Sequence, residues 1–150
     1  MRHSYRPDIP PKPQSYRTPI FDHLGLVAGM CEELGITEVI DHATQQNPAM
    51  RIVTAGHAVK AMVLNGLGCL NQQLSLVPHF LQNKPLARLI APGIQASHLH
   101  DDTRGRALDT LYETGLTALS SLIAATAATR LGLTPTFTHL DSTSFHVDGR

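Results

Sequence analysis

Residues 101–133 read DDTRGRALDTLYETGLTALSSLIAATAATRLGL, and this stretch decides the fold. Apolar or small residues recur in it at spacings of three and four, which places them on one face of a helix. The positions are Leu108, Leu111, Tyr112, Gly115, Leu119, Leu122 and Thr126. Gly132 stands where a helix C-terminus favours glycine, and Pro135 comes shortly after it. The pattern therefore predicts one helix of about thirty residues, ~45 Å long.

Two shorter helices are predicted near the start of the chain. DHLGLVAGMCEELG, residues 22–35, has Asp22 as a candidate N-cap and Gly35 as a C-terminal stop. The next helix has Thr37 as its candidate cap, with Glu38 in its first turn.

The middle of the chain predicts further helices. One begins at Thr54 and extends through Leu70. Pro78 and Pro85 then break the chain into two short helices, at residues 74–83 and 85–91. Because the helical periodicity continues from one segment to the next, residues 20–133 are predicted to form one all-helical domain.

The period changes to two in TFTHLDSTSFHVDGR, residues 136–150. One face of this segment would carry Phe137, His139, Asp141, Thr143, Phe145 and Val147. Residues 134–150 are therefore predicted to be an incomplete β-strand or hairpin, the beginning of a second domain. The fold class is mainly α, with this β segment after the helices.

Charge is unevenly distributed although the formal net charge is zero. Residues 1–19 hold five of the ten prolines and carry a net charge of +3. This composition predicts a disordered tail, with a basic arm that touches nucleic acid as the alternative. Residues 20–50 carry −5 and residues 51–106 carry +4, and a basic middle suits an anionic partner.

Cys31 and Cys69 lie inside apolar helical patterns. This placement predicts two buried thiols of a cytoplasmic protein instead of a disulfide or a zinc site. The N-terminus lacks the apolar core of a signal peptide. Residues 116–128 are uncharged, but the stretch is shorter than a membrane span.

HLHDD, residues 98–102, has two interpretations. Asp101 or Asp102 can cap the long helix and complement its dipole. Alternatively, His and Asp side chains can bind a metal, which would make the protein a small metallohydrolase. The candidate ligands are His98, His100, Asp101, Asp102, His139, Asp141, His146 and Asp148.

Three blocks resemble the N-terminal half of a family of bacterial insertion-sequence transposases. They are GLVAGMCEELGITEVID, HDDTRGRALDTLYETG and HLDSTSFHVDG, and they occur in the family's order. Members of that family are DDE enzymes with a helical domain of unassigned detailed role ahead of an RNase H-like catalytic domain. The resemblance covers roughly residues 22–149.

The resemblance implies that Asp141 is the first acid of the catalytic triad and a ligand of Mg²⁺. The intact family enzyme would use two such ions to cleave DNA and transfer strands. The 150 residues do not contain the family's second Asp and its Glu. We therefore expect a truncated transposase that has no activity by itself and that binds no Mg²⁺ as a fragment.

Transposase N-terminal regions commonly bind element ends, which makes the basic residues of the middle candidates for phosphate contacts. They are Lys60, Lys84, Arg88, Arg104 and Arg106. A solvated helix face is the alternative explanation of these cations. The rival function is a non-enzymatic helical module that binds DNA or pairs with itself or with full-length transposase. No membrane partner is expected.

Overall fold

The computed structural model describes residues 23–46, 51–67 and 77–134, and within these ranges the chain is mainly helical and has no β-strand. The elements are α1 Leu24–Glu33, α2 Ile36–Ala43, α3 Ala55–Gly66, α4 Val77–Leu81, α5 Leu86–Leu89, a 3₁₀ helix Ala96–Leu99, α6 Asp101–Thr114 and α7 Leu116–Arg130. The helical fold class is thereby confirmed. The tail at 1–19 and, apart from Thr134, the predicted β segment at 134–150 lie outside the described residues. Of the helices in the described ranges, none combines the length and the apolar character needed to cross a bilayer.

α3 joins two clusters of buried apolar side chains. Its C-terminal half contributes Ala61 and Leu64 to the larger cluster, which also contains Leu24 of α1 and Leu89 of α5. Its N-terminal half contributes to the second cluster, whose members are Ile40, Ala55, Ala58, Ala107, Leu111 and Leu119. Because alanines supply much of the buried face of α3, neighbouring helices can approach it closely.

The prediction of one long helix after residue 101 is wrong, because the chain breaks at Gly115. Gly115 has φ +95° and ψ +103°, a conformation that glycine adopts without the steric cost of a side chain. Its N–H donates to the carbonyl oxygens of Leu111 and Tyr112, at 3.2 and 3.1 Å, and so closes α6. The predicted apolar stripe is also wrong in part within α6: Leu111 is buried, whereas Tyr112 is 78% exposed.

The break at Gly115 allows α7 to pack against α2 instead of continuing the axis of α6. At the far end of α7, Arg130 Nη1 donates to the carbonyl oxygens of Glu32 and Glu33, at 3.1 and 3.4 Å. A cation near the C-terminus of a helix can hydrogen-bond the last carbonyl groups and complements the helix dipole. α7 therefore holds the end of α1 through a side chain far away in sequence.

Glycine stops are confirmed at Gly35 and Gly132, where φ is +71° and +63°. After α7, the N–H of Gly132 donates to Thr129 O and that of Leu133 donates to Ala128 O, which is a Schellman motif. The predicted cap at Thr37 is wrong. α2 begins at Ile36, directly after the left-handed residue Gly35, so Thr37 already lies inside the helix.

The other predicted caps and ends have mixed outcomes. The predicted start at Thr54 is confirmed, since Thr54 is the N-cap of α3 and the helix begins at Ala55. α3 ends at Gly66, a residue of low helix propensity, and residues 68–70 of its predicted extension lie outside the described residues. The N-cap of α1 is His23 and not the predicted Asp22, which lies outside the described residues.

α2 and α3 approach each other closely at Gly56. A Cβ atom added there would lie 2.5 Å from Thr37 O and 2.9 Å from Thr37 Cα, so this position has no room for a side chain. The Gly56 N–H donates to Asp41 Oδ1 over 2.8 Å, and Asp41 is itself buried. The contact between the two helices therefore requires both the missing Cβ and the buried carboxylate.

We predict that Gly56→Ala lowers the free energy of unfolding by about 1–3 kcal/mol or more, because the new methyl group overlaps the backbone of α2. Gly105→Ala is the matched control. Gly105 lies within α6, where an added Cβ meets no atom within 4 Å. There the substitution should raise the stability by about 0.5–1 kcal/mol through helix propensity. Urea unfolding of both variants measures the difference, and equal effects would contradict the close approach at Gly56.

Candidate functional site

An open cleft of about 290 Å³ lies where the start of α3 meets α6 and the 3₁₀ helix. Its walls come from Gln46, from the segment that enters α3, from the two histidines around the end of the 3₁₀ helix, and from the first two turns of α6. The lining residues are Gln46, Arg51, Ile52, Val53, Thr54, Ala55, His98, His100, Thr103, Arg106 and Ala107.

The cleft is cationic. Arg51 and Arg106 are both exposed and line it, together with His98 and His100. Among the described residues that line it there is neither an aspartate nor a glutamate. Asp101 and Asp102 lie nearby in the first turn of α6 but are not part of the lining. A concave site with two guanidinium groups and without lining carboxylates favours an anionic ligand.

Three side chains fix the start of α3 at one wall of the cleft. The N–H of Ala55 donates to Gln46 Oε1 over 2.8 Å, and that of Gly56 donates to Asp41 Oδ1 over 2.8 Å. The N–H of His57 donates to the Thr54 hydroxyl oxygen over 3.2 Å. The first three amide donors of α3 are thus paired within the protein. An anion in the cleft would have to be bound by side chains.

The two histidines of the cleft are oriented by nearby groups. The N–H of Gln95 donates to His98 Nδ1 over 3.2 Å, so the neutral ring carries its proton on Nε2. His100 Nε2 lies 3.2 Å from the hydroxyl oxygen of Thr103. These contacts hold both rings in place at the edge of α6, and they leave His98 with a hydrogen-bond donor for a ligand.

Comparison with known proteins supplies a family. Residues 16–125 match the model of a domain of unknown function, DUF4277. The chain belongs to the DUF4277 family. Every residue that lines the cleft falls within the matched range. Neither the search of curated proteins nor the search of solved structures gave a match.

Two of the five predicted DNA-binding residues are engaged inside the DUF4277 domain. Lys60 is 1% exposed, and its ammonium group lies 2.8 Å from Glu32 Oε1. Arg104 is 3% exposed and forms an ion pair with Asp101. Its Nη1 atom is buried and has no hydrogen-bond partner among the described residues. Neither side chain presents its charge on the surface, which a phosphate contact requires.

The other three predicted residues lie closer to solvent. Lys84 is half-buried, with its ammonium group 5.8 Å from the centre of the Phe80 ring, and Arg88 is exposed on α5. Arg106 is the one of the five that lines the cleft. Arg51 was not predicted as a site residue, because no local pattern distinguishes it from other isolated cations. Only the fold brings it to the same cleft as Arg106.

In the segment HLHDD, residues 98–102, the residue that caps α6 differs from the predicted one. The N-cap of α6 is His100, without a side-chain hydrogen bond to the helix, and both Asp101 and Asp102 lie in the first turn. The expectation that one of them is the N-cap is therefore wrong, although the first turn is where acids complement the dipole.

Four of the eight candidate metal ligands, His98, His100, Asp101 and Asp102, lie in the described ranges. Within the described ranges, no three His, Cys, Asp or Glu side chains form a group that could hold a metal ion. Asp141, the expected catalytic and Mg²⁺-binding residue, lies outside these ranges. So do His139, His146 and Asp148.

Cys31 is buried, as predicted, with 3% of its surface exposed. Burial raises the pKa of its thiol; the charge of Lys60 opposes this effect and that of Glu32 adds to it. A thiol with a raised pKa is a poor nucleophile, so Cys31 is a packing residue. Cys69 lies outside the described residues.

The capping box of α3 should make stability depend on pH. The backbone N–H of Thr54 donates a hydrogen bond to His57 Nδ1 over 3.4 Å. Burial lowers the pKa of His57, and the charge of Asp41 opposes this effect. Because the folded chain binds this proton less readily than the unfolded chain, His57 contributes stability that is present above its unfolded pKa of about 6.5. That stability is lost as the pH falls through the lowered folded value.

We predict that His57→Gln reduces this pH dependence. Glutamine at the third helical position can complete the same capping box but does not titrate. Near pH 7.5 the two proteins should agree within about 0.5 kcal/mol. Near pH 5.5 the wild type should have lost more of its free energy of unfolding than the variant. The reason is that His57 titrates with a pKa of about 6.5 in the unfolded state, whereas glutamine does not titrate. Urea titrations at both pH values measure this, and identical pH dependence would exclude the role of His57.

Proposed function

We propose that this chain is the N-terminal part of an insertion-sequence DDE transposase, and that its helical domain binds the DNA of the element ends. The resemblance of three sequence blocks to such transposases supports the first half of the proposal. The cationic cleft supports the second half and is the observation that carries it. The domain would bind and position DNA, while the chemistry would belong to the catalytic domain of the intact enzyme.

Two arginines in one cleft suit a phosphate group. The guanidinium group is planar, stays charged and offers parallel N–H donors that match two phosphate oxygens. Arg51 precedes α3 and Arg106 lies in the second turn of α6, so a phosphate between them would be bound from two directions. Phosphate contacts of this kind fix the position of DNA without reading its sequence.

The catalytic part of the proposal rests on the resemblance. Asp141 would be the first of three acids that hold Mg²⁺ in the intact enzyme. The 150-residue chain contains this acid without the family's other two. We therefore propose that the helical domain binds DNA and that cleavage belongs to the intact enzyme, because two-metal cleavage requires several carboxylates on the same pair of ions.

Salt-dependent binding tests the proposal. Fluorescence anisotropy with labelled element-end DNA should show an affinity that falls steeply with salt concentration, because phosphate contacts release counterions. Arg51→Gln and Arg106→Gln should each weaken binding and reduce the slope of log K against log salt by about 1. Arg88→Gln removes the same charge from α5, away from the cleft, and should have a smaller effect.

Two results would contradict this proposal. If Arg88→Gln weakened binding as much as Arg51→Gln, the phosphate contacts would be spread over the basic surface and the cleft would not be their site. Absent or salt-insensitive binding would exclude the DNA role. The exposed apolar side chains Tyr112, Leu116 and Leu122 of α6 and α7 would then favour a protein partner.

A further inference from the structure

We infer that the cleft takes the terminal phosphate of a DNA strand, a phosphomonoester, in preference to the phosphodiester backbone of a duplex. The inference rests on the proposed function, because it takes DNA as the ligand. It goes further by naming the chemical group that the cleft selects. Four properties of the cleft support it: size, hydrogen-bonding character, charge and an apolar wall.

The size of the cleft fits a single terminal phosphate group better than a length of duplex DNA. Its volume of about 290 Å³ is near the lower limit of the ~300–1,000 Å³ typical of small-molecule sites. Specific docking of a duplex buries on the order of 1,000–2,500 Å² of protein surface, mostly along continuous faces and grooves. A strand end can enter a recess of this size, whereas the backbone within a duplex can only pass across its mouth.

The polar groups that line the cleft are mainly donors. Arg51 and Arg106 have no acceptor atoms. His98 already accepts at Nδ1, which leaves the N–H at Nε2, and Gln46 already accepts at Oε1, which leaves its amide NH₂. A ligand that only accepts hydrogen bonds, and accepts several, matches this set. A terminal phosphate has three such oxygens, whereas a phosphodiester has two that do not bridge.

The charge of the cleft also matches a terminal phosphate. Such a group carries about −1.5 to −2 near pH 7, whereas each backbone phosphate carries about −1. Two arginines without lining carboxylates would neutralise the larger charge. Of the two nearby acids, Asp101 is engaged by the buried Arg104, which reduces its repulsion of a bound anion.

An apolar wall distinguishes a nucleotide from inorganic phosphate. Ile52, Val53 and Ala107 line the cleft beside the arginines, and Ile52 is 65% exposed. A bare phosphate ion would leave this wall in water. The deoxyribose attached to a terminal phosphate would cover part of it and so contribute to the free energy of binding.

The test compares two single strands of identical sequence, one with a 5′-phosphate and one with a 5′-hydroxyl group, in competition for the 150-residue chain. The phosphorylated strand should bind about tenfold more tightly, because it adds charge-assisted hydrogen bonds at its end. In Arg51→Gln/Arg106→Gln this preference should disappear, with unchanged circular dichroism showing that the variant is folded. A duplex with 5′-hydroxyl ends should bind no more tightly than the unphosphorylated strand.

The outcomes separate this inference from the proposed function. Equal, salt-dependent affinities for both strands would overturn the terminal-phosphate inference and leave DNA binding standing. Absence of binding to every DNA would overturn both. If a free deoxynucleoside 5′-monophosphate competed as well as the phosphorylated strand, the ligand would be a nucleotide, and a site for strand ends would be excluded.

Discussion

The hydrogen bond from the Gly56 N–H to the buried carboxylate of Asp41 is the interaction on which the described structure depends. At 2.8 Å it joins α2 to the N-terminus of α3, at a point where a side chain on residue 56 would overlap Thr37. A buried carboxylate is costly unless it accepts hydrogen bonds, and a helix N-terminus offers donors with a favourable dipole. The N-terminus of α3 thus supplies a hydrogen-bond donor to the Asp41 carboxylate, and the carboxylate pairs with an amide that has no partner within the helix.

Both the core and the cleft depend on this contact between α2 and α3. With its first turn fixed, α3 contributes to the two apolar clusters and brings Thr54 and Ala55 to the wall of the cleft. Gln46 caps the same turn and also lines the cleft. The side chains that hold the helix and those available to a ligand are therefore neighbours, so a change that loosens the cap should also disturb the site.

Burial and contacts within the protein decide which cations are available for binding. Lys60 pairs with Glu32, and Arg130 donates to the end of the same helix, so two cations hold α1. Arg104 pairs with Asp101 in α6. Arg130 is exposed, as Arg51 and Arg106 are, but of these three only Arg51 and Arg106 line the cleft. Sequence alone presents all of these residues as similar isolated charges, and only their packing separates structural cations from candidate ligands of phosphate.

Local signals are sufficient to predict much of the fold. The helices, the start of α3 at Thr54 and the stops at Gly35 and Gly132 can be derived from periodicity and from residue chemistry. The break at Gly115 could not be predicted from the sequence, because a single glycine does not interrupt an apolar stripe. Nor could the cleft be predicted, since Arg51, His98 and Arg106 come from separate segments whose approach depends on tertiary packing. Asp141, predicted from the resemblance, lies outside the described residues.

The most direct test of DNA binding at the cleft is a titration of the ¹⁵N-labelled chain with 5′-phosphorylated single-stranded DNA, monitored by amide chemical shifts. We expect the largest shift changes in residues 51–57 and 96–107, which build the cleft. Small changes are expected along α5, where Arg88 lies. If the largest changes occurred along α5 instead, or if no amide of the cleft responded while DNA bound, the central claim would be contradicted.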